Sequence, residues 1–416
     1  MKIPSFIKAI LLFTILLISV YILFGRGLID NVQLFNPGYR LSFVQECAKG
    51  LALSHQHLLA YRDNIIPNYY PVENLGDDMG IYYFVPLVQQ IFHTYTYKAY
   101  LIVFCGIALL GYSLATTGIG LLFEDTRVKL FSYFYLALIA FVSLFILDVY
   151  ILAYLVTSLI PLLYWIWKKY KAGNIKMLYL ILALMATGLL AGIANQFRVY
   201  SGVGIIIVVI AFILMEKGVT LFRKTLFIGA LLITVPACKM FFSTQLNQRD
   251  NWIATNGNCQ PNNKIYSHVL WHNAYLGLGI VQNKYGIIWK DSVGYNKAKQ
   301  FKPSLYNVTQ GYDDAIKSEF LTLVKNDWPF VLKAFIYKFL LVFLMGFIFF
   351  NYGIFLIWKV KFNYRTFIPL LAGILFYMLP GILTYPIPHY LLGALNLLTI
   401  SLLFLLNEVY SAKGNI

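Results

Sequence analysis

Charged residues are scarce in this sequence. Only 12% of its 416 residues are charged and 60% are hydrophobic, whereas an ordinary soluble domain is about 25% charged. The mean hydropathy is accordingly high, at +0.69. This composition excludes an ordinary soluble globular protein. It predicts an all-α polytopic membrane protein, because a helix satisfies its own backbone hydrogen bonds inside a bilayer.

The sequence also lacks the short motifs of soluble catalysis. It contains no P-loop, no dinucleotide-binding glycine motif after a strand, no CxxC, no HExxH and no GxSxG. Two histidine pairs, in "HQH" from His55 to His57 and in "HVLWH" from His268 to His272, have no carboxylate or cysteine at ligand spacing. We therefore assign no metal site and no certain cofactor, and the need for a divalent cation such as Mg or Mn stays open.

Long apolar runs account for most of the chain. A run of about 17 to 25 residues is long enough to cross a bilayer, and the sequence predicts ten such helices. The first run follows Lys2 and Lys8, as in a signal peptide, but no small-residue cleavage site follows it, so we interpret it as a retained helix. The ten runs lie near residues 7–25, 99–123, 129–147, 150–167, 177–194, 201–215, 225–243, 336–358, 366–384 and 390–407.

The cations divide unequally between the two sides of these predicted helices. If the N-terminus is cytoplasmic, the short inside segments hold many Lys and Arg residues, whereas the short outside turns hold one, Arg198. This is the positive-inside pattern, and it places both termini in the cytoplasm. It also explains much of the net charge of +16 without a nucleic-acid partner.

Two long segments, residues 26–98 and 244–335, then fall outside the membrane. Each contains aromatic residues, charges of both signs and stretches with the apolar spacing of amphipathic helices. We therefore divide the chain into three parts. Residues 1–243 form an N-terminal transmembrane module of helices 1 to 7 with the first loop, residues 244–335 form the second loop, and residues 336–416 hold helices 8 to 10.

Cysteine is rare, with four residues in the whole chain. Cys47 and Cys259 lie one in each outside loop, where an oxidising compartment permits a disulfide. Two unpaired thiols are the alternative.

Two adjacent carboxylates precede an aromatic helix in the first loop. Asp77 and Asp78 lead into the sequence "MGIYYFVPLVQQIF". One aspartate is enough to cap the free N–H groups at the start of a helix. A second aspartate beside it repels the first, unless a cation, a metal or an acceptor hydroxyl offsets that cost. We expect one of the two to be functional and favour Asp78, because it lies nearer the helix.

Two further charged residues lie in short outside turns. Asp148, in "FILDVY", separates two predicted spans. A carboxylate at that depth is costly unless water or a partner reaches it, which favours a functional role. The alternative is an exposed turn residue that caps the following helix. Arg198 lies in "NQFRVYSG". Its guanidinium can hold a phosphate through a bidentate fork or extend to lipid headgroups. We favour phosphate recognition.

The second loop interleaves aromatic and polar side chains between Ser267 and Tyr295. Aromatic planes can stack on the apolar faces of a sugar while amides and carboxylates bind its hydroxyl groups. The alternative is that the aromatic residues form the small core of a folded loop. The candidate substrate-binding residues are His268, Trp271, His272, Tyr275, Asn283 and Trp289.

Taken together, these features resemble the GT-C superfamily of integral-membrane glycosyltransferases. The resemblance rests on the cytoplasmic N-terminus, the acid before an amphipathic helix in a large first loop, the second acid between spans three and four, and the late outside loop. It covers residues 1–240 in order and extends more loosely through the second loop. The sequence has no "WWDYG"-like motif and no large soluble C-terminal domain, so a role in protein N-glycosylation is not expected.

The resemblance implies an enzyme that moves a sugar from a polyprenyl-phosphate-linked donor to an envelope glycan, a lipid or another acceptor on the extracytoplasmic face. Asp78, or Asp77, would match the catalytic carboxylate and Asp148 the second acidic position, while Arg198 would lie at the donor phosphate. Two alternatives stay open: a transporter or flippase of lipid-linked glycans, and an envelope polysaccharide polymerase or ligase of another fold.

Amino-acid usage also bears on the location of the protein. The sequence uses Lys, Asn, Tyr and Phe heavily and Arg little, which indicates an AT-rich and bacterial genome. The expected location is therefore the bacterial inner membrane, with the two loops periplasmic. The expected partners are the lipid-linked donor, an acceptor and membrane lipids, with no nucleic acid.

Overall fold

The computed structural model describes eight stretches of the chain: residues 39–54, 59–62, 68–71, 79–146, 148–256, 270–302, 309–357 and 364–413. Within them, eight helices are long and apolar enough to cross a membrane, which confirms an all-α polytopic membrane protein. A shorter apolar helix occupies the predicted span at 201–215. The predicted span at 7–25 lies outside the described residues, so the count of ten is not confirmed.

The regular elements are numbered here in chain order. The helices are α1 (Tyr39–Ser54), α2 (Met79–Ile91), α3 (Thr96–Leu122), α4 (Thr126–Ile146), α5 (Ile151–Thr157), α6 (Ile160–Lys171), α7 (Met177–Phe197), α8 (Val203–Met215), α9 (Leu221–Ile233), α10 (Val235–Asn256), α11 (Leu270–Leu276), α12 (Asp291–Phe301), α13 (Gln310–Asn326), α14 (Trp328–Ile357), α15 (Tyr364–Leu383) and α16 (Leu392–Lys413). The strands are β1 (Ala60–Arg62) and β2 (Tyr69–Pro71), and 3₁₀ turns cover Gly277–Ile280 and Pro388–Leu391.

The bundle has two distinct ends. The site end carries the α4–α5, α7–α8 and α15–α16 turns, and the basic end carries the α3–α4, α6–α7 and α8–α9 turns. Helix α16 lies at the centre, since 89% of its apolar stretch is buried, whereas only 22% of that in α14 is buried. The exposed apolar faces of the peripheral helices are what a lipid environment requires.

One membrane span is broken in the middle. The sequence predicts a single helix at 150–167, but α5 ends at Thr157 and α6 begins at Ile160. Pro161 explains the break, because proline has no N–H to continue the helical hydrogen bonds. The Asn396 side chain of α16 covers the interruption, with its Nδ2 3.2 Å from the Tyr154 carbonyl oxygen and 2.8 Å from Thr157 Oγ1.

The first loop segment, defined as the described residues from Tyr39 to Ile91, packs directly on the bundle. It consists of α1, the antiparallel pair β1–β2 and α2. Helix α10 continues beyond its apolar part and supports the strands: Arg249 donates from Nη1 to the Leu59 carbonyl oxygen at 3.1 Å. Trp252 contacts Tyr69 edge to face, with ring centroids 4.6 Å apart.

The second loop segment, defined as the described residues from Leu270 to Asn326, forms a hydrophobic core together with the start of α14. Residues such as Leu278, Ile287 and Ile316 are fully buried there and form a cluster separate from that of the bundle. Several contacts with the bundle lie at the α15–α16 turn and the start of α14. Trp289 contacts Tyr385 with ring centroids 5.0 Å apart, and a Cβ on Gly277 would lie 2.0 Å from the Thr384 carbonyl oxygen.

Candidate functional site

Asp148 lies in the α4–α5 turn at the site end of the bundle. One carboxylate oxygen accepts the Val149 N–H at 2.6 Å, and the Asp148 carbonyl accepts the Ile151 N–H at 3.0 Å. Hydrogen bonds within the turn itself therefore hold its backbone in place. The same carboxylate oxygen lies 3.0 Å from Arg40 Nε, and the Arg40 side chain is only 9% exposed. This ion pair joins the first loop segment to the α4–α5 turn.

Arg198 caps α7 at the same end of the bundle. Its N–H donates to the Ala194 carbonyl at 2.9 Å, and its own carbonyl accepts the Ser201 N–H at 2.8 Å. Gly202 follows so closely on α7 that a Cβ there would lie 2.0 Å from the Ala191 carbonyl oxygen. This tight turn holds the guanidinium carbon of Arg198 5.3 Å from the ring centroid of Tyr150, a cation–π contact.

Tyr150 brings three turns together. Its ring lies 4.9 Å from the centroids of both His389 and Tyr390, which come from the α15–α16 turn, and 5.8 Å from that of Tyr200. Tyr150 itself is 2% exposed, and this burial raises the pKa of its phenol well above the ordinary value. Tyr150 therefore stays neutral at physiological pH.

The cluster contains charged groups of both signs. Arg40 and Arg198 carry two positive charges, and Asp148 carries one negative charge. His389 interacts electrostatically with all three. Two guanidinium groups at the rim of the membrane are suited to holding an anionic group of a ligand.

The start of α2 lies against the same turn. A Cβ on Gly80 would approach the Phe197 ring to 2.6 Å, and Phe84 stacks on that ring with centroids 5.4 Å apart. Asp77 and Asp78, which precede this helix in the sequence, lie outside the described residues. Their proposed catalytic role stays a prediction.

The candidate sugar-binding residues of the second loop segment occupy several environments. Tyr275 is 2% exposed and belongs to the core of the segment. Asn283 organises a turn: its Nδ2 donates to the Val281 and Ile287 carbonyls, and its Oδ1 accepts the N–H groups of Tyr285 and Ile287. These polar atoms are therefore occupied within the fold.

Three further candidates contact neighbouring side chains. Trp271 packs on Phe320 at 5.5 Å and Trp289 on Tyr385 at 5.0 Å, both between ring centroids. The Nε2 of His272 lies 3.3 Å from Asp291 Oδ1, while its Nδ1 forms a short hydrogen bond with the Tyr312 hydroxyl. These contacts fit a folded core, the alternative raised for this loop. His268 lies outside the described residues, and sugar binding by the set stays a prediction.

The described residues contain no group of three or more His, Cys, Asp or Glu side chains that could hold a metal ion. They also give no support to a disulfide between the loops. Cys47 is a buried free cysteine, and burial raises the pKa of its thiol. Its suggested partner, Cys259, lies outside the described residues.

Only some residues of this cluster could be selected from the sequence. Sequence reasoning selected Asp148 and Arg198, and the structure brings both to Tyr150. It did not select Arg40, Tyr150 or His389. The signal for His389 was the position of "TYPIPHY" in a third outside turn, whereas nothing in the sequence distinguishes Arg40 from an ordinary loop cation.

A comparison of the chain with protein-family models, with curated proteins and with solved structures finds no match.

Proposed function

We propose that this chain is a membrane glycosyltransferase of GT-C type that moves a sugar from a polyprenyl-phosphate-linked donor to an acceptor at the site end of the bundle. The observation that carries the proposal is the convergence of Arg40, Asp148, Arg198 and His389 around Tyr150. Such a cluster at the end of membrane helices suits a substrate whose phosphate is held at the membrane surface by a lipid tail.

The cations have a defined task in this reaction. The acceptor oxygen bonds to the anomeric carbon of the sugar, the bond from that carbon to the phosphate oxygen breaks, and its electron pair leaves with the phosphate. Arg198 and Arg40 would stabilise the negative charge that develops on the departing phosphate. Both keep their charge at any physiological pH.

The carboxylates have a second task, which is to accept the proton of the acceptor hydroxyl. Asp78, or Asp77, is our candidate for this base, and Asp148 is the second acidic residue. Because Asp148 already pairs with Arg40 at 3.0 Å, we assign it the further role of positioning that guanidinium. A divalent cation could assist at the phosphate, and the acceptor could be an envelope glycan or a lipid.

The cellular setting belongs to the same proposal. A donor carried by a polyprenyl phosphate needs no nucleotide at the reaction site, which agrees with the lack of a P-loop. We infer a bacterial inner membrane protein from the amino-acid usage, and we infer from the cation asymmetry that its site end faces the periplasm.

The decisive experiment is a transfer assay on the protein in lipid nanodiscs with a panel of polyprenyl-phosphate sugars. We expect Arg198→Ala and Asp78→Asn to reduce transfer at least about 100-fold, the size of effect seen when one charge-stabilising group is lost. Arg223→Ala, at the basic end, is the matched control and should retain activity. Near-normal transfer by both site variants would rule the mechanism out.

A transporter or flippase of lipid-linked glycans is the second candidate, and one observation favours it. The span that begins beside the cluster is discontinuous, with polar contacts from Asn396 to Tyr154 and Ser158 at the break, and transporters use broken helices near their substrates. Movement of a fluorescent lipid-linked glycan across vesicles, with no new glycosidic bond, would favour this function.

A further inference from the structure

An apolar cleft lies in the basic half of the bundle, away from the charged cluster. It has a cavity volume of about 50 Å³ and opens between α6, α7, α8, α15 and α16, with Tyr164, Trp167, Leu184, Phe212 and Phe404 among its lining residues. Because its walls are nearly all apolar and belong to membrane spans, hydrocarbon suits this cleft better than water does.

One polar group in the cleft has no partner. Trp167 lines the cleft and is 4% exposed, yet its Nε1–H makes no hydrogen bond to any described residue. Its ring is held by aromatic neighbours, with Phe212 at 5.4 Å and Phe227 at 5.8 Å between centroids. Since a buried unpaired donor costs about 1–3 kcal/mol, the site favours a ligand that supplies an acceptor oxygen at this depth.

The rim of the cleft at the basic end is positively charged. Lys168 Nζ lies 5.0 Å from the ring centroid of Tyr164, and the Tyr164 hydroxyl lies 3.5 Å from Thr366 Oγ1, next to Arg365 in the sequence. One acid, Glu408, interacts with Lys168. Two cations and one acid leave a net positive charge beside the opening of the cleft.

We propose that this cleft binds an anionic glycerophospholipid. A glycerol ester carbonyl accepts the Trp167 N–H, part of the acyl chain attached to it lies in the narrow cleft, and the phosphate lies beside Lys168 and Arg365. The three features follow the order of groups in such a lipid: hydrocarbon, ester and phosphate. A polyprenyl phosphate fits less well, because it has no acceptor between its hydrocarbon chain and its phosphate. This inference does not rest on the proposed glycosyl transfer.

Native mass spectrometry of the detergent-purified chain, titrated with phosphatidylglycerol, tests the proposal. We expect one retained phosphatidylglycerol, bound about tenfold more tightly than phosphatidylcholine because of the two cations. Trp167→Phe keeps the ring and removes the donor, so it should weaken phosphatidylglycerol binding roughly fivefold. Trp328→Phe, an exposed tryptophan outside the cleft, is its control and should bind as the wild type does.

A second pair of variants tests the position of the acyl chain. Leu184→Trp fills the cleft and should abolish the retained lipid, while Leu182→Trp, on the exposed face of the same helix, should keep it. Equal binding of phosphatidylglycerol and phosphatidylcholine would overturn the proposal. So would a retained lipid in Leu184→Trp, or tighter binding of a polyprenyl phosphate. If Leu184→Trp does not fold, the comparison of the two Trp→Phe variants decides.

Discussion

The two loop segments meet the bundle in different ways. The first contributes Arg40 to an ion pair with a membrane turn and packs Gly80 against Phe197, so its residues belong to the same hydrophobic core as the spans. The second forms a separate core together with the start of α14 and contacts the α15–α16 turn through Trp289 and Tyr385. The first segment is therefore part of the candidate site, whereas the second is a separately packed unit beside it.

The largest expected difference between the two segments is the effect on transfer rate of removing one cation from each. Arg40→Ala leaves Asp148 without its partner at the site, and we expect transfer to fall by about 100-fold. Lys297→Ala removes a 2.8 Å ion pair with Glu319 inside the second segment, and such partly exposed pairs contribute at most about 1 kcal/mol. Initial rates of sugar transfer measure both. Equal losses would show that the two segments are not functionally different.

A cavity in the core of the second segment tests whether the two segments unfold separately. Ile316 is fully buried there, so Ile316→Ala should cost about 2–5 kcal/mol of local stability. Hydrogen exchange should rise across Leu270 to Asn326 and stay unchanged in α1 and α2. Leu321→Ala, at an exposed position on the same helix, is the control. A matching rise in the first segment would mean that the two cores unfold together.

A methyl group at the contact between α2 and α7 should have a smaller effect. The Cβ of Gly80→Ala would lie 2.6 Å from the Phe197 ring, and overpacking of this kind costs about 1–3 kcal/mol. Gly106→Ala in α3 is the matched control, because a Cβ there meets no atom within 4 Å. Thermal unfolding in detergent compares them. Equal melting temperatures would show that the contact between α2 and α7 is loose.

The smallest expected effect is a pH dependence confined to the second segment. The hydrogen bond from His272 lowers the pKa of Asp291, so the stability that this contact adds is present above about pH 4. That stability should be lost as the pH falls through the lowered pKa. Because the Asp291 side chain is 74% exposed, the effect is small.

Tryptophan fluorescence between pH 5 and pH 3 measures this loss. Asp291→Asn should make the second segment less dependent on pH in that range. Asp314→Asn, at an exposed position in α13, should behave as the wild type does. An unchanged acid transition in Asp291→Asn would contradict the assignment of the contact.

Much of the architecture could be predicted from hydropathy, because long apolar segments must form helices in a bilayer. The predicted runs from 99 onward fall on described helices, although the break before Pro161 was not predicted. A break depends on whether another helix can satisfy the freed backbone groups, and Asn396 lies more than 200 residues away along the chain. Local sequence does not contain that information.

The candidate site was only partly predictable for a similar reason. Asp148 and Arg198 attract attention because charged residues are rare in short turns between spans. Arg40 and His389 become meaningful only through the elements that lie beside them, the α4–α5 turn and Tyr150.

The sequence by itself determined that this chain spans a membrane and that the cations of its short connecting segments lie mostly on one side, because the cost of burying charge in hydrocarbon acts on each segment separately. The tertiary structure decided which rare charges meet. Arg40, Asp148, Arg198 and His389 come from four separate parts of the chain, and only the packing of the helices that carry them brings them to one ring. An ionic cluster depends on distances in space, which hydropathy and spacing along the chain do not specify.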